Sequence, residues 1–136
     1  MSVAAEVEIL RVEVVCQERP HGVIAMDFRK GDKMFFQIKE GSVYHMRVHF
    51  IVRYDIVNAL KFVNNVYKMM VRVEKEDFKM GSFAPQNEPH VVDLDWVEAP
   101  SGFMARGDYK GKGLFLDGDG IVHSQFEYAF KIASDW

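Results

Sequence analysis

The feature that most constrains the fold of this chain is a strict two-residue alternation of apolar and polar side chains. In the segment VYHMRVHFIV, the even-numbered positions from 44 to 52 are all apolar, whereas positions 45, 47 and 49 hold His, Arg and His. Successive side chains of an extended chain point to opposite faces, so this pattern places one apolar face against a core. The segment therefore predicts a half-buried β-strand.

The same period recurs along the chain. FEYAFKI near residue 130 and EVEILRVEVVC near the start alternate in the same way, and ALKFVNNVYKMMVRVEKEDF predicts one long strand. Turn signals such as RPHG, KEGS, EAPSG and DGDG separate these runs, and only YDIVNAL favours a short helix. Many short strands at this spacing predict an all-β fold, an antiparallel sandwich or barrel, with residues 1–136 forming a single domain.

Composition restricts the class of protein. A chain of 136 residues supports one core, and a formal net charge of −3 gives no field that would favour nucleic acid. Cys16 is the only cysteine, which excludes an intrachain disulfide and fits a reducing compartment. Because the sequence contains neither a membrane-length apolar run nor a secretory signal pattern, we expect a cytoplasmic protein that is not embedded in a membrane.

Candidate chemistry is sparse. His45 and His49 would lie about 13 Å apart on a strand, too far to share a metal, and are expected to be surface histidines. DGDG resembles the opening of a calcium loop, but Ile121 and Val122 follow it where a ligand and a glycine are needed, so we expect a tight turn. Cys16 is interpreted as a buried structural thiol. With no catalytic constellation, the sequence predicts a binding protein that is not an enzyme and needs no cofactor or metal.

The apolar side chains of the predicted strands are unusually bulky. The chain contains 11 Phe, 8 Met and 5 Tyr, and Met adapts to irregular packing. Two interpretations stay open from pattern alone: an ordinary crowded core, which the pattern favours, or a core that opens between its sheets to admit an apolar ligand.

Four segments carry a resemblance to a known family. They are IKEGSVYHMRVHFIVRYDIVNALKFVNNVYK, VRVEKEDFKMGSFAP, VEAPSGFMARGDY and FLDGDGIVHSQFEYAFKIASDW. In order and almost without gaps, from about Val7 to Trp136, they resemble the immunoglobulin-like domain of Rho GDP-dissociation inhibitors. The tripeptide Arg106-Gly107-Asp108 then belongs to a family signature in which position 108 is variable, and it is not an adhesion motif.

The resemblance implies an immunoglobulin-like antiparallel β-sandwich with a hydrophobic pocket between its two sheets. It implies a Rho GDP-dissociation inhibitor-like protein that binds the geranylgeranyl group of Rho-family small GTPases, extracts them from membranes and holds them soluble and inactive. The isoprenoid lipid and the GTPase are thus the expected partners, and we expect a monomer when the protein is free. The implied prenyl pocket comprises Val14, Phe36, Tyr44, Met46, Val48, Ile56, Met104, Phe126 and Tyr128. Of these, Phe126 and Tyr128 stand where the family commonly has two tryptophans, which leaves pocket size open.

The resemblance also implies an acidic surface for the basic segment that precedes the lipidated cysteine of such GTPases. The candidates for this surface are Asp93, Asp95, Glu98, Asp117 and Asp119, and Glu74 matches an acidic family position that faces the body of the GTPase. The alternative interpretation is that these acidic residues are solvated turn residues. Exposed ion pairs between them and a basic segment would increase the rate of association more than the affinity.

The start of the chain departs from the family. Family members carry an N-terminal regulatory arm before this domain, and we expect the arm to be absent from this chain, either removed or never present. If the arm is truly missing, lipid binding should survive while inhibition of nucleotide exchange should be weak or absent. Two other functions stay open: a general prenyl-protein shuttle similar to the delta subunit of the retinal phosphodiesterase, and a closed-core structural interaction module.

Overall fold

The computed structural model describes residues 4–31 and 34–136. Within them the chain forms strands joined by turns, with one short 3₁₀ helix and no α-helix. The strands are β1 (Glu6–Cys16), β2 (Ile24–Asp27), β3 (Phe35–Lys39), β4 (Val43–Arg53), β5 (Val57–Lys68), β6 (Val71–Phe83), β7 (His90–Asp93), β8 (Val97–Glu98), β9 (Gly107–Leu116) and β10 (Val122–Ala133), and the 3₁₀ helix is Phe103–Ala105.

The strands form two sheets that enclose the core. Sheet A has the order β2-β1-β4-β7, with β8 also paired to β4, and sheet B has the order β3-β10-β9-β5-β6. This arrangement confirms the predicted immunoglobulin-like all-β sandwich. One pairing differs from the antiparallel expectation, because β3 runs parallel to β10. A parallel neighbour requires a long connection, and here the whole of β4 to β9 lies between the two strands.

The alternation that predicted β4 is confirmed. Met46, Val48, Phe50 and Val52 are buried and belong to the hydrophobic cluster between the sheets, and Tyr44 is half-buried beside them. On the opposite face, Arg47, His49 and Ile51 are half-buried.

Two predictions about β5 and β6 are wrong. The predicted single long strand is a hairpin, because Met69 and Met70 adopt positive φ values of 51° and 67° and reverse the chain between β5 and β6. YDIVNAL forms no helix. Tyr54 also has a positive φ, and the segment enters β5 through a bulge at which Ser82 Oγ accepts a hydrogen bond from the Ala59 amide.

The structure also bears on the expectations for His45, for Cys16 and for the DGDG turn, and only that for His45 is wrong. His45 is buried, not on the surface, because Trp96 packs against its ring with the two ring centres 4.3 Å apart. Cys16 is half-buried at the end of β1, and burial raises the pKa of its thiol, partly opposed by Arg19. DGDG forms a turn as predicted, and Asp117 anchors it by accepting the amides of Asp119 and Ile121 at 2.9 and 3.1 Å.

Two glycines make room for the aromatic core of sheet B. Gly111 lies opposite Tyr128 in the register of β9 and β10, and Gly113 lies opposite Phe126. A Cβ atom at Gly113 would be 2.6 Å from the Phe126 ring, and one at Gly111 would overlap the Tyr128 ring. Both rings therefore lie flat across β9, where they stack with their neighbours at centroid distances of about 5 to 6 Å.

Candidate functional site

The candidate site is a cavity of about 520 Å³ between the two sheets, at the end of the sandwich where β4 and β9 begin. This volume falls within the range of small-molecule sites. Its lining residues are Ile38, Tyr44, Val66, Lys68, Val73, Glu74, Glu76, Val97, Glu98, Ala99, Pro100, Ser101, Met104, Ala105, Tyr109, Phe130 and Ile132. Most are apolar, so the cavity suits an apolar ligand.

Sheet B supplies the deep wall of the cavity. Val66, Tyr109, Phe130 and Ile132 all point inward from β5, β9 and β10, and each is buried. Alternation along these strands sets this arrangement, because the neighbours of each residue face the outside of the sheet. The Phe130 ring stacks on Tyr109 at 5.0 Å, which fixes the shape of this wall.

A short loop, residues 99–106, covers the cavity and is held at both sides. On one side Glu40 accepts a hydrogen bond from the Gly102 amide at 2.9 Å and pairs with Arg106. On the other side Lys68 Nζ donates to the carbonyls of Met104 and Arg106, at 2.7 and 2.9 Å. Arg106 is thus engaged within the chain, as a structural part of the loop.

Burial shifts the pKa of two groups that line the cavity, Glu76 and Tyr44. Burial raises the pKa of Glu76, although a hydrogen bond from Asn64 Nδ2 at 3.0 Å partly opposes this and nearby Glu74 adds to it. Burial also raises the pKa of the Tyr44 phenol, with Glu76 contributing. Both groups favour their uncharged forms more than usual, which fits an apolar surrounding.

The structure brings only some of the predicted pocket residues to this cavity. Tyr44 and Met104 line it. Val14, Phe36, Met46, Val48 and Tyr128 are buried in the adjoining core, and Phe126 is half-buried against that core. Phe36 connects the two regions, since its ring stacks on Phe130 at 5.2 Å. Ile56 lies outside both, with half of its surface exposed in the segment between β4 and β5.

The predicted acidic residues are divided between two ends of the sandwich. Glu74 and Glu98 line the cavity, and Asp95 is exposed in the segment that leads to Glu98. Asp93 lies on β7, where it pairs with Arg47 at 2.7 Å.

Asp117 and Asp119 follow the far end of β9, about 20 Å from the cavity by strand length. Asp117 is buried and bound to its own turn and to His123, whereas Asp119 is exposed.

Sequence reasoning missed several residues of the site. Val66 and Phe130 could have been found, because alternation places them on inward faces. Glu40, Lys68 and Glu76 carried no such signal, since their roles depend on contacts with residues 12 to 66 positions away.

Neither a candidate metal cluster nor a membrane-spanning helix occurs in the part of the chain that the structure describes. No group of three or more metal-ligating side chains occurs between residues 4–31 and 34–136. Over the same residues, no helix has the length and apolar character needed to cross a bilayer.

Fold and cavity together define a β-sandwich that offers an apolar site between its sheets. The family model described as RHO protein GDP dissociation inhibitor matches residues 2–135. The chain belongs to the Rho GDP-dissociation inhibitor family.

Individual relatives agree. The chain is 36% identical over 104 residues to the Rho GDP-dissociation inhibitor of Schizosaccharomyces pombe, covering 76% of this chain and 51% of the relative. It is 34% identical over 132 residues to Rho GDP-dissociation inhibitor 1 of Arabidopsis thaliana, covering 96% and 55%. It is 33% identical over 135 residues to Rho GDP-dissociation inhibitor 1 of Bos taurus, covering 96% of this chain and 65% of the relative. The chain thus spans from half to two-thirds of the length of these relatives.

Proposed function

We propose that this protein is a non-catalytic carrier that shelters the geranylgeranyl group of a Rho-family small GTPase in the cavity between its sheets. In doing so it would extract the GTPase from membranes and hold it soluble and inactive in the cytosol. The observation that carries the proposal is the apolar cavity of about 520 Å³ in a chain of this family. We further propose that residues 1–136 suffice for lipid binding.

Energetics require such a cavity. At about 0.8 kcal/mol per buried CH₂, a chain of about 20 carbons contributes on the order of 10 kcal/mol to membrane anchoring, so extraction needs a comparably apolar replacement. The wall formed by Val66, Tyr109, Phe130 and Ile132 offers part of that surface. Stacked rings of the adjoining core, from Phe36 to Phe126, would separate to admit the rest of the lipid.

The acidic residues at the cavity suit the basic segment that precedes the lipid. Glu74 and Glu98 are exposed and line the cavity, so they can meet a basic segment that emerges from it. Asp117 and Asp119 lie at the other end of sheet B and are not available to the same segment. This division favours, as a second candidate, a general prenyl-protein shuttle that depends less on the basic segment.

The test is a titration with a fluorescent geranylgeranylated peptide that bears a basic tail, beside the same peptide without lipid. Saturable binding that requires the lipid supports the carrier. Val73→Trp should fill the cavity mouth and weaken binding by about tenfold or more, whereas Val91→Trp, on the edge strand β7, should not. Both valines are half-exposed, so the pair is matched for its effect on folding.

The lipid and tail of the peptide distinguish the remaining functions. A Rho-type carrier should prefer geranylgeranyl over farnesyl and lose affinity with added salt, whereas a general shuttle should show neither property. If no lipidated peptide binds, the carrier proposal fails and a closed-core interaction module is the better description.

A further inference from the structure

The most exposed large apolar side chains of the described residues belong to two loops that lie side by side. Met69 and Met70 are 88% and 97% exposed, and Phe103 and Met104 are 84% and 83% exposed. Lys68 joins the two loops, because it precedes the methionine pair and donates hydrogen bonds to the carbonyls of Met104 and Arg106. We call Met69, Met70, Val71, Phe103 and Met104 the apolar tip.

The backbone at the apolar tip is unfavourable for the residues that occupy it. Met69 and Met70 both have positive φ values, of 51° and 67°, in the two-residue turn of the β5–β6 hairpin. Such a turn favours Asn-Gly, because bulky side chains are strained in the left-handed region. Two large apolar residues in this turn raise the free energy of the fold and bury nothing within the chain. Their side chains are therefore free to make a contact outside the chain.

A basic surface adjoins the apolar tip on the outer face of sheet B. In the half of sheet B that is nearer to the apolar tip, strand register and alternation place the outward-facing side chains of neighbouring strands side by side. The basic ones are Lys39, Arg72, Lys75, Lys110, Lys112 and Lys131. The acidic ones are Asp108 and Glu127, of which Glu127 lies 3.9 Å from Lys112.

This basic face has a net charge opposite in sign to that of the whole chain. The formal net charge of the protein is −3, yet six basic and two acidic side chains face outward here. Glu74, on β6 of sheet B, and Glu98, on β8 of sheet A, lie close to the tip along the chain, but both line the cavity between the sheets. An anionic surface that approaches the outer face would therefore meet mostly positive charge.

We propose that the apolar tip and the basic face dock this protein onto the surface of an anionic lipid bilayer. Flexible methionines and Phe103 would enter the interfacial layer, while the lysines contact anionic headgroups. A bilayer suits this surface better than a protein does, because a tip of flexible, separate side chains needs no complementary pocket. Met104 also lines the cavity, so docking would bring the cavity mouth to the bilayer. In this respect the inference extends the proposed carrier function.

The experiment is sedimentation of the full chain, without any GTPase or prenylated peptide, with phosphatidylcholine vesicles that contain or lack phosphatidylserine. We expect binding that requires phosphatidylserine and weakens with salt. The double variant Met69→Asn, Met70→Gly should bind about tenfold or more weakly, since it removes two inserted side chains. It should fold at least as well as the parent, because Asn-Gly suits this turn.

A second pair of variants tests the basic face. Lys110→Gln with Lys131→Gln should weaken vesicle binding by about 25-fold, on the order of fivefold for each charge. The matched control, Lys61→Gln with Lys79→Gln, removes two charges from the same outer face but about 20 Å farther from the tip, beyond the screening length, and should change binding less.

Two outcomes would overturn the proposal. The first is failure of the parent chain to sediment with phosphatidylserine vesicles, which would reassign the tip to a protein partner. The second is unchanged vesicle binding of the Met69→Asn, Met70→Gly variant. Titration of this variant with the geranylgeranylated peptide in solution separates membrane docking from the proposed carrier function, because neither methionine lines the cavity. Retained peptide binding with lost vesicle binding supports docking as a distinct property.

Discussion

The Tyr128 hydroxyl donates a hydrogen bond of 2.9 Å to Oδ1 of Asn64, deep in sheet B. Both residues are buried, and the Asn64 amide in turn donates to Glu76 at 3.0 Å. A continuous polar chain thus runs from the aromatic core to the cavity wall. Burial raises the pKa of the Tyr128 phenol, with the Asn64 hydrogen bond opposing, so the phenol keeps its donating, protonated form to higher pH than an ordinary tyrosine.

Tyr128→Phe should lower the free energy of unfolding by about 1–3 kcal/mol, because it leaves the buried Asn64 oxygen without its donor. Urea unfolding of the variant and the parent gives this difference. Tyr67→Phe is the control, since Tyr67 lies on the outer face of sheet B and its loss should be small. Equal losses of unfolding free energy in the two variants would mean that the hydrogen bond from Tyr128 to Asn64 does not stabilise the fold.

Gly111→Ala should destabilise the sandwich by about 1–3 kcal/mol or more, because the added Cβ would overlap the Tyr128 ring. Thermal unfolding measures the loss. Combining it with Tyr128→Ala relieves the overlap, so the double variant should lose less than the sum of the two single losses. Additive losses would show that the ring can move aside freely.

Glu76→Gln should stabilise the protein at neutral pH. Burial raises the pKa of Glu76 in the folded state, so the charged form is penalised and the protein gains stability as the pH falls through that raised pKa. The advantage of the Gln variant should therefore be greatest at neutral pH and vanish below the ordinary Glu pKa of about 4.3. Urea unfolding at several pH values measures it, with the exposed Glu88→Gln as control. A variant advantage that persists in acid would contradict this cause.

Asp117→Asn should show the opposite pH dependence. Burial alone would raise the pKa of Asp117, but hydrogen bonds from His123 and from the amides of Ile121 and Asp119 outweigh it and lower the pKa. The ionised form thus stabilises the fold above the ordinary Asp pKa of about 3.9, and this contribution is lost as the pH falls below that value toward the lowered pKa.

We expect the Asn variant to lose about 1–3 kcal/mol of unfolding free energy at neutral pH and little in strong acid. Unfolding curves across the acid range provide the measurement. Asp119→Asn, in the same turn but exposed, is the matched control. A loss that does not change with pH would assign the effect to shape and not to charge.

The fold could be predicted from the sequence because β4 and β10 bury one face each, and a period of two reports that directly. The β5–β6 hairpin could not be predicted this way. Met69 and Met70 have none of the turn chemistry of Asn or Gly, so the chain reads as uninterrupted strand where it actually reverses.

The candidate site was predictable in part for a related reason. Tyr44 lies on an alternating strand and its inward direction follows from the pattern. Glu76 and Lys68 line the same cavity through side-chain contacts that only the folded chain creates. His45 was misplaced because Trp96, from the segment between β7 and β8, covers a position that alternation alone leaves exposed.

The parallel partnership of β3 and β10 has a consequence for biosynthesis. β10 lies inside sheet B, between β3 and β9, yet it follows all the other described strands in chain order. Until residues 122–133 leave the ribosome, β3 has no neighbour and the wall that carries Phe130 and Ile132 does not exist. The nascent chain must therefore hold an unfinished sheet while the strands from β3 to β9 are already exposed to other proteins.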